Sequence, residues 1–251
     1  MSIMTLTSSN MEKILSVSTA DYYTTKANLM RGGLYKGLVA FGSARIPDGF
    51  STKSKGKPRD PLLDEVEDIS KSCAKRILDN KKEISFISGG GPSIMDAWLS
   101  GANSFNKNPD GTLKETPVIQ TSGIALVVPW ETEADRLRNS YKHLSGTPET
   151  FDARRSLLIE YSIALVIFEG GIGTMDELFV TLDLIKTNKI EERPIVVYNT
   201  NHFYDPLIEL LENFKKDNRT ISANELDNIL FFVDTREQLM ERLYSIIDNY
   251  S

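Results

Sequence analysis

Short apolar segments alternate with stretches of helical periodicity along the chain, and this alternation restricts the possible folds most strongly. The apolar segments are rich in β-branched residues and lie at 38–41, 84–87, 124–128, 163–168, 194–198 and 229–233. Such segments are typical of strands buried on both faces. The helical stretches lie at about 60–80, 92–106, 152–161, 174–188, 203–216 and 235–248. The alternation predicts an α/β fold with a doubly wound, mainly parallel sheet and helices on both of its faces.

The chain has no internal repeat and no linker that would divide it, so its 251 residues predict a single domain. We place this domain at 31–251. Residues 1–30 have weak periodicity, with a short helix indicated near 10–15. We expect them to form an N-terminal extension that is weakly structured or packs on the domain or on a partner subunit. Two regions, 43–59 and 129–150, are predicted to be irregular loops that frame a ligand site at the carboxyl edge of the sheet.

Composition argues against several classes of function. The net charge of −6 and the isoelectric point near 5.1 disfavour a general affinity for nucleic acid or for an anionic membrane, because both require a basic surface. The one cysteine, Cys73, cannot form an intramolecular disulfide, and no apolar run is long enough to span a bilayer. With no secretory signal at 1–10, we expect a cytoplasmic protein. Two histidines without a cysteine pair argue against a tetrahedral zinc site, and we expect no metal.

Three predicted strands end in glycine-containing turns that precede helices. The turns are Gly42-Ser43, Gly89-Gly90-Gly91 and Glu169-Gly170-Gly171-Ile172-Gly173-Thr174. Glycine lets the backbone adopt positive φ and approach a ligand closely. The helix that follows offers unpaired N–H groups and the positive end of its dipole, which attract an anion. The three turns predict a phosphate or nucleotide site, and the alternative is that the glycines only make tight connections.

Motifs that are missing narrow the kind of nucleotide site. No Gly-x-x-x-x-Gly-Lys-Ser/Thr is present, which argues against a P-loop NTPase. Gly171-x-Gly173 is followed by Asp176 where a dinucleotide fingerprint has its third glycine, which argues against a nicotinamide-dependent dehydrogenase. A Gly-x-Ser-x-Gly elbow for a serine hydrolase is also missing. No pattern marks a lysine that would bind pyridoxal phosphate, so an amino-acid decarboxylase is equally disfavoured.

The glycine turns and an arginine pair resemble the LOG-like family of Rossmann-type proteins, often mislabelled lysine decarboxylases. The family pattern combines Gly-Ser, Gly-Gly-Gly-Pro-Gly-Ile-Met-Glu-Ala, Arg-Lys and Pro-Gly-Gly-x-Gly-Thr-x-x-Glu. Here the corresponding segments are Gly42-Ser43, 89–97, Arg154-Arg155 and 169–177, and the resemblance covers about 38–210. The resemblance implies a Rossmann-like domain.

The sequence departs from the family pattern at a few positions. Ser93 stands where the family has glycine, and Glu169 where it has proline. Asp96 and Arg155 replace glutamate and lysine and keep the charge, although arginine and lysine differ in geometry. Glu169 places a carboxylate at the mouth of the turn expected to bind an anion.

The resemblance implies hydrolysis of the N-glycosidic bond of a nucleoside 5'-monophosphate, of the AMP or cytokinin riboside monophosphate type. The products are the free base and ribose 5-phosphate. Arg154 and Glu177 correspond to the catalytic pair of the family. The residues expected to bind the substrate and its phosphate are Gly42, Ser43, Gly89, Gly90, Gly91, Met95, Arg155, Gly170, Gly171, Gly173 and Thr174. The resemblance also implies a homodimer or higher homo-oligomer, and we expect no cofactor.

Several of these assignments have structural alternatives. Thr174 and Glu177 match a capping box, with Thr174 as N-cap and Glu177 at the third helical position, and this role can coexist with catalysis. Met95 can pack in the core instead of lining a base pocket. Of Arg154 and Arg155, one is expected to lie on an exposed helix face. The alternative function is a non-catalytic nucleotide-binding or sensing protein of the same fold.

Overall fold

A computed structural model describes residues 8–50, 56–126, 144–216, 220–222 and 224–251 of the chain. The helices within these ranges are α1 (Ser8–Arg31), α2 (Pro61–Asp79), α3 (Ile94–Asn103), α4 (Phe151–Glu160), α5 (Ile172–Lys186), α6 (Asp205–Lys215) and α7 (Arg236–Asn249). The strands are β1 (Gly37–Phe41), β2 (Ser85–Ser88), β3 (Thr121–Ile124), β4 (Leu144–Gly146), β5 (Ser162–Ile167), β6 (Ile195–Tyr198) and β7 (Leu230–Val233). Single 3-10 turns lie at Ser104–Asn106 and Thr200–His202.

The seven described strands form one parallel sheet, in the order β4-β3-β2-β1-β5-β6-β7. The chain adds strands to one side of β1 as far as β4 and then returns to add β5 on the other side. The strand order therefore reverses between β1 and β5. Ligands of doubly wound sheets bind in the crevice that opens at such a reversal, beyond the carboxyl ends of the strands. The prediction of one doubly wound parallel α/β domain is confirmed.

Successive residues of a central strand enter different hydrophobic cores, which explains the uninterrupted apolar runs in the sequence. On β1, Leu38 and Ala40 pack in a core built with α2, α3 and α7. Val39 and Phe41 pack in a second core built with α1, α4, α5 and α6. None of these four residues is more than 2% exposed. Both faces of the strand must be apolar because both are removed from water.

One edge of the sheet differs from the prediction. The third strand runs from Thr121 to Ile124 and not over 124–128, and β4 lies in the region 129–150 that was predicted as an irregular loop. Both predictions are wrong in these parts, and residues 127–143 lie outside the described ranges. Thr121, Ser122 and Gly123 are polar or small, so they carry no apolar signal. They are nevertheless buried and pair with β2, and this pairing makes the segment a strand.

Helix α1 is far longer than the short helix indicated near 10–15. It contacts α4 and β4, and its Leu29 is buried in the second core. A Cβ at Gly146 would lie 2.9 Å from Thr25 Cγ2, so the glycine lets α1 approach the end of β4 closely. The division of the chain between an extension at 1–30 and a domain at 31–251 stays a prediction. Within the described ranges, each helix is too short or too polar to cross a bilayer.

Candidate functional site

Two backbone hydrogen bonds join the turns that follow β1 and β5, where the strand order reverses. The N–H of Phe168 donates to the carbonyl of Phe41 at 2.9 Å, and the N–H of Ser43 donates to the carbonyl of Glu169 at 2.8 Å. The first and last glycine turns therefore lie side by side at the carboxyl edge of the sheet.

Two of the glycines are required by close packing. A Cβ at Gly42 would lie 2.5 Å from Ile94 Cγ2 at the start of α3, and a Cβ at Gly170 would lie 2.2 Å from Thr174 Oγ1. Neither position has room for a side chain. Gly171 and Gly173 differ, because a Cβ at either would meet nothing within 4 Å. The open part of the last turn is therefore the stretch from Gly171 to Gly173.

The helices that follow the second and last glycine turns begin without a capping side chain. Side chains cap α2, α4 and α7, whereas none caps α3, α5 or α6. In α5, the N–H of Met175 donates to the carbonyl of Gly171 at 3.0 Å and starts the helical bonding pattern. The N–H groups of 172–174 precede it and have no acceptor within the helix. These N–H groups and the helix dipole suit an anion.

The capping-box interpretation of Thr174 and Glu177 is wrong. Helix α5 begins at Ile172 with Gly171 as its N-cap, so Thr174 is its third residue and Glu177 its sixth. The Thr174 side chain packs against Gly170 and caps nothing at this end. Glu177 therefore lies beyond the first turn, on the buried face of α5, where its carboxylate meets another helix.

Arg154 on α4 reaches three other elements. Its Nη1 lies 3.5 Å from Glu177 Oε1, and its Nε donates to the carbonyl of Ile124 at 3.3 Å. A Cβ at Gly89 would lie only 2.1 Å from Arg154 Nη2, so this glycine makes room for the guanidinium. The arginine is held between the second glycine turn, the end of β3 and helix α5. Gly89, Arg154 and Glu177 thus come together although they are far apart in sequence.

The Glu177 carboxyl is almost removed from water, with only 7% of the residue exposed. Burial raises its pKa from 4.5 to about 7, although the charge of Arg154 acts in the opposite direction. Asp176 raises the pKa further, and Arg155 lowers it. At neutral pH the carboxyl is a mixture of protonated and ionised forms, so it can take up or release a proton there.

Arg155 forms two ion pairs beside the Arg154–Glu177 pair. Its Nη1 lies 2.8 Å from Asp176 Oδ2, and its Nη2 lies 2.6 Å from Asp152 Oδ1. Of the two neighbouring arginines, Arg154 is therefore the one that contacts Glu177 and the second glycine turn. A role of Arg155 in substrate binding stays a prediction.

The second glycine turn contains a strained serine. Ser93 has φ 67° and ψ −124°, a left-handed conformation that favours glycine, the residue of the family pattern at this position. Its hydroxyl is buried and has no hydrogen-bond partner among the described residues. Such a conformation costs roughly 1–3 kcal/mol. The turn keeps the backbone shape of the glycine-containing pattern although serine has replaced the glycine.

The other predicted residues of this turn are buried. Gly90 has φ 68°, and its N–H donates to Ser88 Oγ at 3.2 Å. Gly91 is also buried. Met95 is 9% exposed, and its Sδ lies 2.9 Å from the position of a Cβ at Gly89. Met95 therefore packs beneath the turn, next to the guanidinium of Arg154.

The environment of Glu169 raises the pKa of its carboxyl above the ordinary value. Burial is the largest cause and the charge of Asp60 the second, whereas Asn201, in the 3-10 turn after β6, acts in the opposite direction. A raised pKa makes this carboxyl, which lies beside the uncapped start of α5, easier to protonate.

Tyr204, the residue before α6, forms a hydrogen bond with the backbone just before the last glycine turn. Its hydroxyl donates to the carbonyl of Phe168 at 2.7 Å. The end of β5 and the turn that follows it are thereby fixed to the start of α6.

Sequence reasoning missed two contacts of this site. The Ile124 carbonyl that accepts from Arg154 is a backbone group, so no residue type marks it. Asp176, which binds Arg155, was not among the predicted site residues. Its charge and its position directly before Glu177 in the motif could have identified it as one. The described residues contain no group of three or more His, Cys, Asp or Glu side chains that could hold a metal ion.

Comparison with protein families gives a direct match. The model of the family described as "Possible lysine decarboxylase" matches residues 112–243. This range includes Arg154, Glu177 and the whole last glycine turn, and it covers more than half of the 251 residues. The chain belongs to this LOG-like family. The family is consistent with a nucleotide-processing role.

Three solved structures are similar to this LOG-like chain at low sequence identity, and the first of them shares its fold. The X-ray structure of TM1055, a Northeast Structural Genomics Consortium target, is 16% identical with a TM-score of 0.51, and the match covers 82% of this chain and 99% of that chain. The molybdenum cofactor carrier protein from Chlamydomonas reinhardtii is 13% identical with a TM-score of 0.48, covering 85% and 99%. DNA processing protein A from Streptococcus pneumoniae is 11% identical with a TM-score of 0.48, covering 82% and 61%. No curated protein matches the sequence significantly.

Proposed function

We propose that this protein hydrolyses the N-glycosidic bond of a nucleoside 5'-monophosphate, of the AMP or cytokinin riboside monophosphate type. The observation that carries the proposal is the pair of half-buried Arg154 and buried Glu177, 3.5 Å apart, beside the uncapped start of α5 at the reversal of strand order. Family membership supports it. The homo-oligomeric state and the cytoplasmic location expected from the sequence stay predictions.

The open end of α5 provides the place for the 5'-phosphate. The N–H groups from Gly171 to Thr174 face no capping side chain, and the dipole of α5 adds positive potential there. Binding the phosphate at this point fixes the ribose relative to Glu177, which lies further along the same helix. Binding energy from a group that does not react can then hold the reacting carbon in position.

Glu177 provides the carboxylate that the reaction needs. Breaking the bond between C1' and the base nitrogen builds positive charge on the ribose, which a nearby carboxylate stabilises. Ionised Glu177 also accepts a proton from the water that attacks C1', while the leaving base takes up a proton from acid or solvent. Arg154 holds the carboxylate in place and balances charge. The products are the free base and ribose 5-phosphate, with one water consumed.

A chromatographic screen of mononucleotides tests the proposal. Purified protein incubated with AMP and other nucleoside 5'-monophosphates is expected to release free base and ribose 5-phosphate in equal amounts. The Glu177→Gln variant, purified identically, controls for contaminating hydrolases. Intact mononucleotides after prolonged incubation with excess protein would contradict the proposal. If calorimetry showed binding in the same samples, a nucleotide-binding or sensing role would replace it.

The pH dependence of base release is expected to follow Glu177. Because the ionised form is the active one, kcat should fall about tenfold per pH unit well below the pKa that Glu177 has in the substrate complex and level off above it; in the free protein that pKa is about 7. Saturating substrate is required, so that the second ionisation of the substrate phosphate, near pKa about 6, does not enter the profile. A kcat that stays constant or decreases as the pH rises from about 5.5 to about 8.5 would show that ionised Glu177 is not needed.

A further inference from the structure

Asp21 on α1 binds the beginning of α4. Its Oδ2 accepts hydrogen bonds of 2.9 Å from the N–H of Glu149, the N–H of Thr150 and the hydroxyl of Thr150. Three donors converge on one carboxylate oxygen from the segment where α4 starts. A carboxylate at a helix N-terminus also interacts favourably with the helix dipole. Helix α1 thus supplies a charged group to α4 from outside it.

The segment held by Asp21 is the one from which Arg154 extends. Thr150 is the N-cap of α4, and its hydroxyl accepts from the N–H of Ala153 at 3.3 Å. The N–H of Arg154 donates to the carbonyl of Thr150 at 3.1 Å. Arg154 therefore lies one helical turn after the residue that Asp21 binds. A shift of this turn would move the guanidinium relative to Gly89 and Glu177.

We propose that Asp21 is a positioning residue that keeps the guanidinium of Arg154 between Gly89 and Glu177. The kinetic part of this inference rests on the proposed function, in which Arg154 holds the reacting carboxylate. A displacement of about 1 Å at such a position can cost about 10²-fold in rate. In this view one residue of the N-terminal helix, Asp21, acts on the site through the start of α4.

The ionisation of Glu177 reports where Arg154 lies. Arg154 and Arg155 from α4 lower the pKa of Glu177, and Asp176 from its own helix raises it. If the start of α4 is released, both arginines lower the pKa of Glu177 less than before. The pH midpoint of kcat should then rise, and a loss of stability alone would not produce that change.

Lys26 offers a matched control on the same helix. It binds Glu160 at the other end of α4, together with Tyr22. Glu160 lies six residues after Arg154, roughly 9 Å further along the helix axis. Lys26→Ala therefore weakens the attachment of α1 to α4 without releasing the turn that carries Arg154.

The experiment compares Asp21→Ala, Asp21→Asn and Lys26→Ala in kcat, KM, the pH midpoint of kcat and thermal unfolding. Asp21→Ala is expected to lower kcat at least about tenfold, with KM changed less than about threefold, and to raise the midpoint by about half a pH unit or more. Asp21→Asn keeps an acceptor and should recover part of kcat. Lys26→Ala should lower the unfolding temperature and leave kcat and the midpoint unchanged. Equal effects of the two alanine variants on stability, with kcat and midpoint unchanged in both, would overturn the proposal.

A second measurement needs no turnover and keeps the two proposals separable. Glu177→Gln is introduced into the parent and into the Asp21→Asn protein, and thermal unfolding is measured at pH 8. The gain in unfolding temperature should be larger in the Asp21→Asn background, because weaker contact with Arg154 makes ionised Glu177 more costly there. Additive changes would overturn the positioning role. Absence of base release in the parent protein would contradict only the proposed function.

Discussion

Glu177→Gln is expected to lower kcat for base release by about 10²- to 10⁴-fold, the range typical for loss of a general acid or base. Glutamine has nearly the size of glutamate but can neither ionise nor accept the proton of the attacking water. KM should change little, because the proposed phosphate site is the start of α5 and not this side chain. Steady-state kinetics with chromatographic detection of the base measures both quantities. Retention of more than about a tenth of the parent kcat would remove Glu177 from the reaction.

The same substitution is expected to stabilise the protein at alkaline pH. An unfolded glutamate loses its proton near pH 4.5, whereas folded Glu177 keeps it until about pH 7. Between these values the folded state binds more protons, so the free energy of unfolding decreases as pH rises through this window. Glutamine removes the cost of burying the ionised form. The gain should approach about 3 kcal/mol at pH 8 and be close to zero near pH 4.

Thermal or denaturant unfolding across this pH range measures the effect, and Glu192→Gln provides a matched control on an exposed carboxylate. The control should change stability by less than about 0.5 kcal/mol at every pH. If Glu177→Gln were destabilising at pH 8, the ion pair with Arg154 would outweigh the burial of the carboxylate. A residue that costs stability and supports turnover is the usual compromise of a catalytic site.

Arg154→Ala is expected to lower kcat by about 10²-fold or more, since the carboxylate loses the group that holds it in place. The pH midpoint of the remaining activity should rise, because Arg154 lowers the pKa of Glu177. Gly89→Ala should also lower kcat and raise the pH midpoint, because it displaces the guanidinium of Arg154 instead of removing it. Its Cβ would lie 2.1 Å from Nη2 of Arg154 and displace the end of a flexible side chain, so the fold should persist.

The matched control for this prediction is Arg242→Ala. Arg242 lies over the ring of Phe231, 4.1 Å from its centroid, on the far edge of the sheet. Arg242→Ala should leave kcat and the pH midpoint unchanged. If Arg154→Ala kept full activity while Arg242→Ala did too, Arg154 would be a packing residue of the second glycine turn and nothing more.

Most of the fold could be predicted from local sequence. Residues such as Val39 and Phe41 are apolar next to Leu38 and Ala40, and only a strand covered on both faces requires that pattern. The bounds of β3 could not be predicted because Ser122 and Gly123 have little apolar surface. The strand conformation of β3 depends on pairing with β2, and that of the edge strand β4 on pairing with β3, so both depend on partners elsewhere in the sequence.

The candidate site could be predicted only in part. The glycine turns and their spacing mark the open start of α5, and the family resemblance marks Arg154 and Glu177. The capping-box hypothesis failed because Gly171 allows α5 to begin at Ile172, and that choice depends on the packing of Thr174 against Gly170. The anchoring of α4 by Asp21 had no local signal at all.

The sequence by itself determined the class of fold, the edge of the sheet where the glycine turns lie and the residue types gathered there. These properties follow from hydrophobic periodicity and from the turns that glycine permits, both of which are local. Only the tertiary structure decided which arginine meets Glu177, how far the carboxylate is removed from water, and that α1 holds the start of α4. Distances, burial and pKa depend on groups that approach from distant parts of the chain, so they appear only when the chain is folded.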